Sequence, residues 1–393
     1  MKAPAGPRVA ILTYSTRPRG GVIHALRLTE ELHRLGVRVH LFALGDPAVG
    51  FFRDVAAPHT IVRAPEPAPT LEERVFASLE ALEQALATEA TGFDIAHAED
   101  CISARAAVAI RDRGAAWVVV RTVHHVDDFT TKVLVECQRR SILEPDAVCV
   151  VSEFWRGVLR EEYGIEAIAV TNGVDADRFV RPDGFDPTEL KERVGARERF
   201  LFLTVGGIEP RKGSMELIEA MAKLKAAVDA APVLAVVGGH SFQDYARYRS
   251  DVFDRAAALG LEMGRDVVLL GTVPDAGLPA WYWAADAFVF PSVREGWGLV
   301  VLEALAAGLP VVATDLPVFR EYLTDERDAM LVRPRNAELL AGVMRRIVSD
   351  SELRGRLSAR GPGVARRFSW VRSARAHAQL YRRVWAGTRS PSP

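Results

Sequence analysis

Two glutamates, Glu295 and Glu303, stand with seven residues between them in a stretch that is otherwise rich in glycine and apolar residues. A carboxylate accepts two hydrogen bonds at once, so either residue could hold the vicinal hydroxyls of a ribose or another sugar. An acid within an apolar helix costs free energy unless it is bonded, which favours a binding role for Glu303. The alternatives are that a neighbour satisfies Glu303 in the core and that Glu295 is an ordinary loop charge.

The residues between these glutamates predict an anion site. A buried strand should end at Phe290, and a helix should open at about Leu299. Gly296 and Gly298 permit a tight backbone path between the two elements. Because the first N–H groups of a helix have no intrahelical partner, they can receive phosphate oxygens. The stretch therefore combines a phosphate site with two acids that could bind hydroxyls.

Candidate binding residues also follow predicted strands in the first half of the chain. Gly20 and Gly21 open the first helix, where their N–H groups could face a phosphate or an acceptor, although any strand-to-helix turn can use glycine. His124 follows a later strand, so its side chain should reach the binding edge of the sheet; a satisfied core histidine is the alternative. His97 and Asp100 lie at another strand end, where acceptor binding and local capping are equally open.

These positions require a framework of alternating strands and helices. Apolar runs of strand length alternate with longer amphipathic runs from Val9 onward, and the alternation restarts at Phe200. Repeated strand, helix, strand order with apolar strands implies parallel sheets covered on both faces. The predicted fold class is α/β, with two doubly wound, Rossmann-like domains facing each other across a cleft at the C-terminal ends of both sheets.

The division into domains follows from linker composition. The polar stretch 181–199 contains prolines and glycines and marks the linker. We expect an N-terminal domain over 1–178, joined by a C-terminal helix over 370–387, and a second domain over 179–369. Residues 388–393 should form a disordered tail.

Composition excludes several classes of protein. The 393 residues exceed what one hydrophobic core usually serves, and 49% hydrophobic with 26% charged residues is ordinary globular usage. A formal net charge of -1 gives no electrostatic drive toward nucleic acid, so no nucleic-acid partner is expected. Three scattered cysteines encode neither a disulfide framework nor a zinc cage, and no apolar run suits a signal peptide or a membrane span. We therefore expect a cytoplasmic protein.

Positive charge is concentrated at the C-terminal end. Residues 333–393 carry 14 arginines, no lysine and three acids, a balance of +11. Basic positions alternate with apolar ones there, which favours solvated helix faces. The alternative is peripheral contact with an anionic surface at the inner face of the membrane, or with a polyanionic acceptor.

The two glutamates belong to a longer block that resembles a known family. Glu295-Gly-Trp-Gly-Leu-Val-Val-Leu-Glu-Ala-Leu-Ala-Ala-Gly-Leu-Pro-Val-Val312 resembles the signature of retaining glycosyltransferases of family 4, whose fold is the two-Rossmann GT-B arrangement. Val205-Gly-Gly-Ile-Glu-Pro-Arg-Lys-Gly213 resembles the family's pyrophosphate-binding turn, and Asn172-Gly-Val-Asp175 its interdomain turn. Phe368-Ser-Trp370 is similar to the start of its last helix. The resemblance thus covers nearly the whole chain.

The resemblance implies a nucleotide-sugar site in the domain over 179–369 and an acceptor side in the N-terminal domain. Glu303 would hold the ribose of the donor, Glu295 the hydroxyls of the transferred sugar, and the backbone over 298–300 that sugar and the phosphates. His124 would contact the donor sugar near the reacting carbon. The residues assigned to donor binding are Gly20, Gly21, Gly206, Val273, Gly296, Trp297, Gly298, Leu299, Val300 and Glu303.

Arg211 and Lys212 would neutralise the diphosphate leaving group. Negative charge grows as a nucleoside diphosphate departs, and a preorganised guanidinium and ammonium stabilise it, so no metal or other cofactor is required. Only six of the chain's 50 cationic residues are lysines, which makes a lysine at position 212 informative. An exposed basic turn is the alternative.

Two features depart from the family pattern. Gly207 stands where relatives commonly have arginine, which leaves open how Arg211 and Lys212 share the phosphates. The pair His124 and His125 replaces His-Asp or His-Gly, so either imidazole could point inward. The Asp-Ala-Asp segment over 175–177 follows a turn and is assigned to turn chemistry, not to a metal.

The predicted function is metal-independent, retaining transfer of a sugar from a nucleoside-diphosphate sugar to the hydroxyl of an unidentified sugar, lipid-linked or small-molecule acceptor. Retention is implied by the resemblance. A front-face reaction, in which the leaving phosphate takes the acceptor proton, is preferred because no carboxylate is identified as a nucleophile. The alternatives are a nucleotide-sugar epimerase of the same fold and a non-catalytic nucleotide-sugar-binding protein. The absence of a Gly-x-Gly-x-x-Gly pattern after either first strand argues against a dehydrogenase.

Overall fold

The computed structural model describes residues 6–239 and 245–389. The chain forms two compact units by its internal contacts. Unit 1 comprises the residues up to Gly173 together with those from Trp370 onward, and unit 2 is Val174–Ser369. Each unit is an α/β structure built on a sheet whose neighbouring strands are all parallel.

Unit 1 contains a seven-stranded sheet. Its strands are β1 (Arg8–Thr13), β2 (Arg38–Gly45), β3 (His59–Arg63), β4 (Ile95–Ala98), β5 (Val118–Val123), β6 (Ala147–Val150) and β7 (Ile168–Ala169). The strand order is β3-β2-β1-β4-β5-β6-β7, so the chain changes direction across the sheet between β1 and β4. Ligands of doubly wound sheets bind at such a switch point, outside the carboxyl ends of the strands.

Helices cover both faces of this sheet. Those in the first part of the chain are α1 (Gly20–Arg34), α2 (Leu71–Glu89), α3 (Cys101–Asp112), α4 (Lys132–Leu143) and α5 (Glu153–Tyr163). Alternate residues of β1 point to opposite sides. Val9 and Ile11 pack in one core with Leu26 of α1, whereas Ala10 and Leu12 pack in another with side chains of α2 and α3. This two-sided burial explains why the strands are apolar throughout.

Unit 2 repeats the architecture with six strands. They are β8 (Leu201–Val205), β9 (Val233–Val237), β10 (Val267–Gly271), β11 (Ala287–Phe290), β12 (Val311–Thr314) and β13 (Met330–Val332), in the order β10-β9-β8-β11-β12-β13. Its helices are α6 (Thr188–Arg193), α7 (Ser214–Ala227), α8 (Ala246–Ala258), α9 (Leu278–Ala284), α10 (Leu299–Ala306), α11 (Pro317–Arg320), α12 (Ala337–Ser349) and α13 (Ser351–Ala365). The predicted fold class is confirmed by these two parallel sheets.

The last helix, α14 (Trp370–Arg389), returns to unit 1 and packs on α1. The disordered tail over 388–393 stays a prediction, although α14 extends through Arg389. Trp385 anchors this end of the helix by donating its indole N–H to the Asp94 carboxylate at 3.2 Å. The rest of that predicted tail, residues 390–393, lies outside the described residues.

Asp94 joins the start of the sheet in unit 1. It directly precedes β4, and its side chain accepts the Arg8 backbone N–H at 2.7 Å. The edge strands β3 and β7 were not predicted, since β3 is only partly apolar and β7 has only two residues. None of the helices within 6–239 and 245–389 is long and apolar enough to cross a membrane.

Candidate active site

The two segments of unit 2 that carry the predicted chemistry follow neighbouring strands. The segment after β8 contains Lys212, the segment after β11 contains Glu295, and β8 pairs with β11. The backbone of Arg211 joins the segments, because its carbonyl accepts the Val293 N–H and the Ser292 hydroxyl, each at 2.8 Å. The sheet topology therefore brings together residues that are more than 80 positions apart.

Gly213 allows the two segments to approach. Its φ of +66° lies in the left-handed region, and a Cβ at this position would stand 2.1 Å from the Pro291 carbonyl oxygen. Both the backbone conformation and the contact therefore require glycine.

Replacing Gly213 with alanine should destabilise unit 2 by about 3 kcal/mol or more, because the backbone strain adds to a steric overlap with a rigid carbonyl. Gly260→Ala is the matched control, since Gly260 has a φ of +73° but no atom within 4 Å of its Cβ position. The control should lose about 1 kcal/mol. Urea unfolding followed by circular dichroism measures both, and equal losses would show that the contact with Pro291 carries no cost.

A compact charge network lies where the segments meet. Glu295 Oε1 is 2.5 Å from Lys212 Nζ and 3.3 Å from Arg211 Nη1, and it lies 2.8 Å from Ser292 Oγ as a second acceptor that shares this hydroxyl with the Arg211 carbonyl. Glu209 lies 3.0 Å from Arg211 Nε and so holds the guanidinium from its other side. Two acids and two cations are thus held together where the segments after β8 and β11 meet.

The electrostatics of the network keep Glu295 ionised. Burial raises the pKa of the Glu295 carboxyl, but the charges of Lys212 and Arg211 outweigh burial and hold that pKa below its usual value. Burial and the nearby Arg211 charge lower the pKa of Lys212, against the opposing effect of Glu295. Lys212 is therefore a desolvated ammonium, a form that gains strongly from an incoming anion.

The Lys212 side chain packs against the predicted Gly206 and against Phe290 at the end of β11. The Lys212 stem passes over the site where a Gly206 Cβ would stand, with Cε at 3.5 Å. Its ammonium lies 4.7 Å from the centre of the Phe290 ring. Gly206 and Lys212 also line a pocket that extends toward β9 and α8.

The start of α10 lies in the same segment as Glu295. Gly298 precedes the helix with a φ of +86°, and a Cβ there would stand 2.5 Å from the Phe319 ring. The first intrahelical bond runs from the Val301 N–H to the Gly298 carbonyl, so the amides of Leu299 and Val300 precede the helical ladder. These two amides are the donors that the sequence predicted for an anion.

Glu303 lies one turn into α10 and is held by a tyrosine of α9. The Tyr282 hydroxyl donates to Glu303 Oε2 at 2.8 Å. Burial, together with the Glu303 charge, holds the pKa of Tyr282 well above its usual value, so the phenol stays protonated and keeps donating. The sequence did not identify Tyr282, which lies in an aromatic run that reads only as helix core. The sequence did not identify Ser292 either, because nothing except its position beside Pro291 distinguishes it from an ordinary loop serine.

The other predicted donor residues of unit 2 take different positions. Gly296 is buried in the segment before α10, and the Trp297 ring packs against Tyr322 and Phe368, so only the backbone of Trp297 could meet a ligand. Val273 follows β10 and is half-buried. The Asp-Ala-Asp segment forms a 3-10 turn, Ala176–Phe179.

Unit 1 brings Gly21 and His124 together. A Cβ on Gly21 would stand 3.5 Å from the His124 ring, so the start of α1 packs directly on this imidazole. His124 Nε2 lies 2.9 Å from Glu99 Oε2, whereas His125 is half-exposed and lies beside Asp127. The imidazole that joins the buried polar cluster is thus that of His124. Gly20 has no atom within 4 Å of its Cβ position.

The remaining two candidates of unit 1 have structural partners. Asp100 caps α3 by accepting the Ser103 N–H, and it also accepts the Tyr14 N–H. His97 is fully buried and lies within hydrogen-bond distance of Tyr381 and Thr122. Burial lowers the pKa of His97 to about 4, and that of His124 also to about 4. Both imidazoles are therefore neutral at pH 7.

The chain resembles glycosyltransferases in both of its halves. The model of the family described as glycosyl transferases group 1 matches residues 186–363, and that of Glycosyltransferase Family 4 matches residues 18–178. The chain is 30% identical to a D-inositol 3-phosphate glycosyltransferase of Xylanimonas cellulosilytica, over 97% of this chain and 98% of that protein. The chain belongs to glycosyltransferase family 4 and is a glycosyltransferase.

Solved structures show the same fold. Sucrose-phosphate synthase from Thermosynechococcus elongatus aligns with a TM-score of 0.79 at 21% identity, covering 97% of this chain and all of that one. HepE from Anabaena, solved in complex with UDP-glucose, aligns with a TM-score of 0.77 at 18% identity, covering 95% and 99%. The predicted GT-B fold class is confirmed.

Proposed function

We propose that this glycosyltransferase moves a sugar from a nucleoside-diphosphate sugar to an acceptor hydroxyl with retention of anomeric configuration. We further propose that protein cations, and not a metal, neutralise the leaving diphosphate. The observation that carries the proposal is the contact of Lys212 and Arg211 with Glu295, in the segment that leads into α10. A crystal complex of HepE with UDP-glucose, on the same fold, supports a nucleotide sugar as donor.

The diphosphate would bind between the cations and the start of α10. The amides of Leu299 and Val300 can donate to phosphate oxygens. Lys212 adds a positive charge that is already desolvated in the folded protein, so binding the diphosphate requires little further desolvation of the ammonium. A diphosphate would take over the charge pairing that Glu295 provides in the present structure. The Glu295 carboxylate could then accept hydrogen bonds from hydroxyls of the transferred sugar.

The ribose would bind Glu303, and the base would lie near the backbone at Val273. Tyr282 fixes one oxygen of Glu303, which orients the carboxylate for the two ribose hydroxyls. Such preorganisation lowers the ordering cost of binding.

The reaction would be a front-face displacement. The bond from the anomeric carbon to the phosphate oxygen breaks, the bond to the acceptor oxygen forms on the same face, and the acceptor proton passes to the leaving phosphate. We assign His124 to the donor sugar, Gly20 and Gly21 to donor binding, and the rest of the N-terminal unit to the acceptor side. A double displacement would instead need a carboxylate on the opposite face of the sugar.

The proposal is tested by supplying UDP- and GDP-sugars with a panel of acceptors and measuring nucleoside diphosphate release. Because the relative from Xylanimonas is named a D-inositol 3-phosphate glycosyltransferase, inositol phosphates come first in the acceptor panel. Nuclear magnetic resonance of the product should show the anomeric configuration of the donor, at equal rates with and without added Mg²⁺ or Mn²⁺. Inverted product would refute retention, interconversion of the donor without acceptor would indicate an epimerase, and donor binding without any release would indicate a binding protein.

Replacing Tyr282 with phenylalanine should raise the donor KM about fivefold with little change in kcat, because one hydrogen bond to Glu303 is lost. Steady-state kinetics with varied donor measure the effect. Tyr163→Phe, in α5 of unit 1, is the control and should leave KM unchanged. An unaltered KM in the Tyr282 variant would mean that Glu303 is oriented without this phenol.

The pH profile of transfer should show no loss of activity between pH 8 and about pH 5, because Glu295 stays ionised and His124 stays neutral over that range. Arg211→Ala removes one of the charges that lower the pKa of Glu295, so its pKa rises and the acid limb should move to higher pH. Arg320→Ala, at an exposed arginine paired with Asp315, should not move the limb. An identical limb in wild type and the Arg211 variant would contradict the assigned charge coupling.

A further inference from the structure

Three histidines surround one buried carboxylate in unit 1. Glu99 Oε2 lies 2.8 Å from His24 Nδ1 and 2.9 Å from His124 Nε2, and Glu99 Oε1 lies 3.6 Å from His97 Nε2. One ligating atom each from His24, Glu99 and His124 lie within 4.8 Å of one another. These residues come from α1, the end of β4 and the end of β5, so their spacing in the sequence gives no metal motif.

The charge of Glu99 calls for a cation. Glu99 is only 2% exposed, and within the part of the chain that the structure describes all its ion-pair partners are histidines. Arg121, a buried arginine of the adjacent β5, donates to the carbonyls of Ala98 and Thr122 and not to Glu99. A buried carboxylate is costly unless it is paired. Arg121 interacts with Glu99 only through its charge, so a bound metal ion would add the first cation in direct contact with the carboxylate.

The cluster also contains buried polar atoms that have no hydrogen-bond partner among the described residues. Among the described residues, His24 Nε2, His377 Nε2 and Glu99 Oε1 are buried without a hydrogen-bond partner. The ring centres of His24 and His377 are 5.8 Å apart, so these atoms belong to one polar region. Buried polar groups are rarely left unsatisfied, and such a concentration is typical of a place that binds an ion or ordered water.

We infer that His24, Glu99 and His124 bind a borderline transition-metal cation, with Zn²⁺ as the best match. Two imidazoles and one carboxylate form a ligand set that zinc uses in proteins, with a fourth position left for a further ligand. Each imidazole would bind through the nitrogen that now faces Glu99 and carry its proton on the other nitrogen. Mg²⁺ and Ca²⁺ prefer oxygen ligands and should not compete.

The bound metal would position His124 and, through the contact of that ring with Gly21, the start of α1. This role is separate from the leaving diphosphate, whose cations are Lys212 and Arg211 of unit 2. Metal binding to the cluster therefore does not depend on the proposed reaction, and its test needs no substrate.

The test uses the full chain, stripped with a chelator and then dialysed. Titration with Co²⁺ should produce the visible absorption bands of a four-coordinate ion, saturating at one equivalent, and Zn²⁺ should remove them. His124→Ala and Glu99→Gln should weaken Zn²⁺ binding about 100-fold in competition with a chromophoric chelator. His125→Ala, which changes the adjacent half-exposed imidazole, is the matched control and should bind like wild type.

Circular dichroism is used to check that each variant is folded. If Glu99→Gln does not fold, His124→Ala still decides the test, because His124 is at the partly exposed edge of the cluster. Failure of the wild type to bind one equivalent would overturn the inference. Equal binding by wild type and His124→Ala would also overturn it, as would a loss in His125→Ala as large as that in His124→Ala.

Discussion

Replacing Lys212 with alanine should lower kcat/KM for sugar transfer about a thousandfold, because a preorganised charge at the leaving group acts mainly in the transition state. Lys212 is desolvated and lies 2.5 Å from Glu295, so its loss also leaves that carboxylate with one cation fewer. The fall should therefore appear in kcat more than in the donor KM. Rapid-mixing measurement of nucleoside diphosphate release under saturating donor gives kcat directly.

Lys223→Ala is the matched control for Lys212→Ala. Lys223 lies on α7 of the same unit and pairs with the exposed Glu338, so its removal takes away a surface charge of the same type. The control should retain wild-type kcat, and both variants should show wild-type circular dichroism. A Lys212 variant that turns over as fast as the control would refute the assigned role of the cation.

Replacing Glu303 with alanine should reduce kcat/KM about a hundredfold through weaker donor binding, because two hydrogen bonds from ribose hydroxyls to a charged group are lost. Glu303→Gln keeps an acceptor for the Tyr282 hydroxyl. It therefore separates the loss of ribose binding from a disturbed contact between α9 and α10. The glutamine variant should fall between wild type and alanine. Isothermal titration with UDP and GDP measures the affinity without turnover.

Glu338→Ala is the control for the Glu303 variants, since Glu338 is an exposed helix glutamate of the same unit. It should bind nucleotide like wild type. If Glu303→Ala also bound nucleotide like wild type, the ribose would not lie on α10.

The sequence predicted the parts of the site that depend on local chain geometry. The helix start at Leu299 follows from the glycines before it and the apolar run after it, and the structure begins α10 at that residue. The grouping of Lys212 with Glu295 was implied by the family resemblance, and the structure brings them together because the strands before them are neighbours. The local pattern was sufficient for the helix start, whereas the grouping needed the resemblance.

Side-chain partners brought together by tertiary packing could not be predicted in the same way. Tyr282 reaches Glu303 from a different helix, and its sequence context is that of an ordinary core aromatic. Glu99, His24 and His124 come from three separate parts of unit 1, so no spacing in the sequence marks the cluster. The orientation of His124 over His125 was likewise decided by Glu99, a partner 25 residues away.

The central claim is that a nucleoside-diphosphate sugar binds to unit 2 along the segment that links Lys212, Glu295 and α10. A crystal structure of the chain soaked with a donor that turns over tests this claim most directly. We predict diphosphate density within hydrogen-bond distance of the Lys212 ammonium and the Leu299 amide, with the ribose on Glu303. Density for the donor at a different place, with Lys212 still bonded only to Glu295, would contradict the claim.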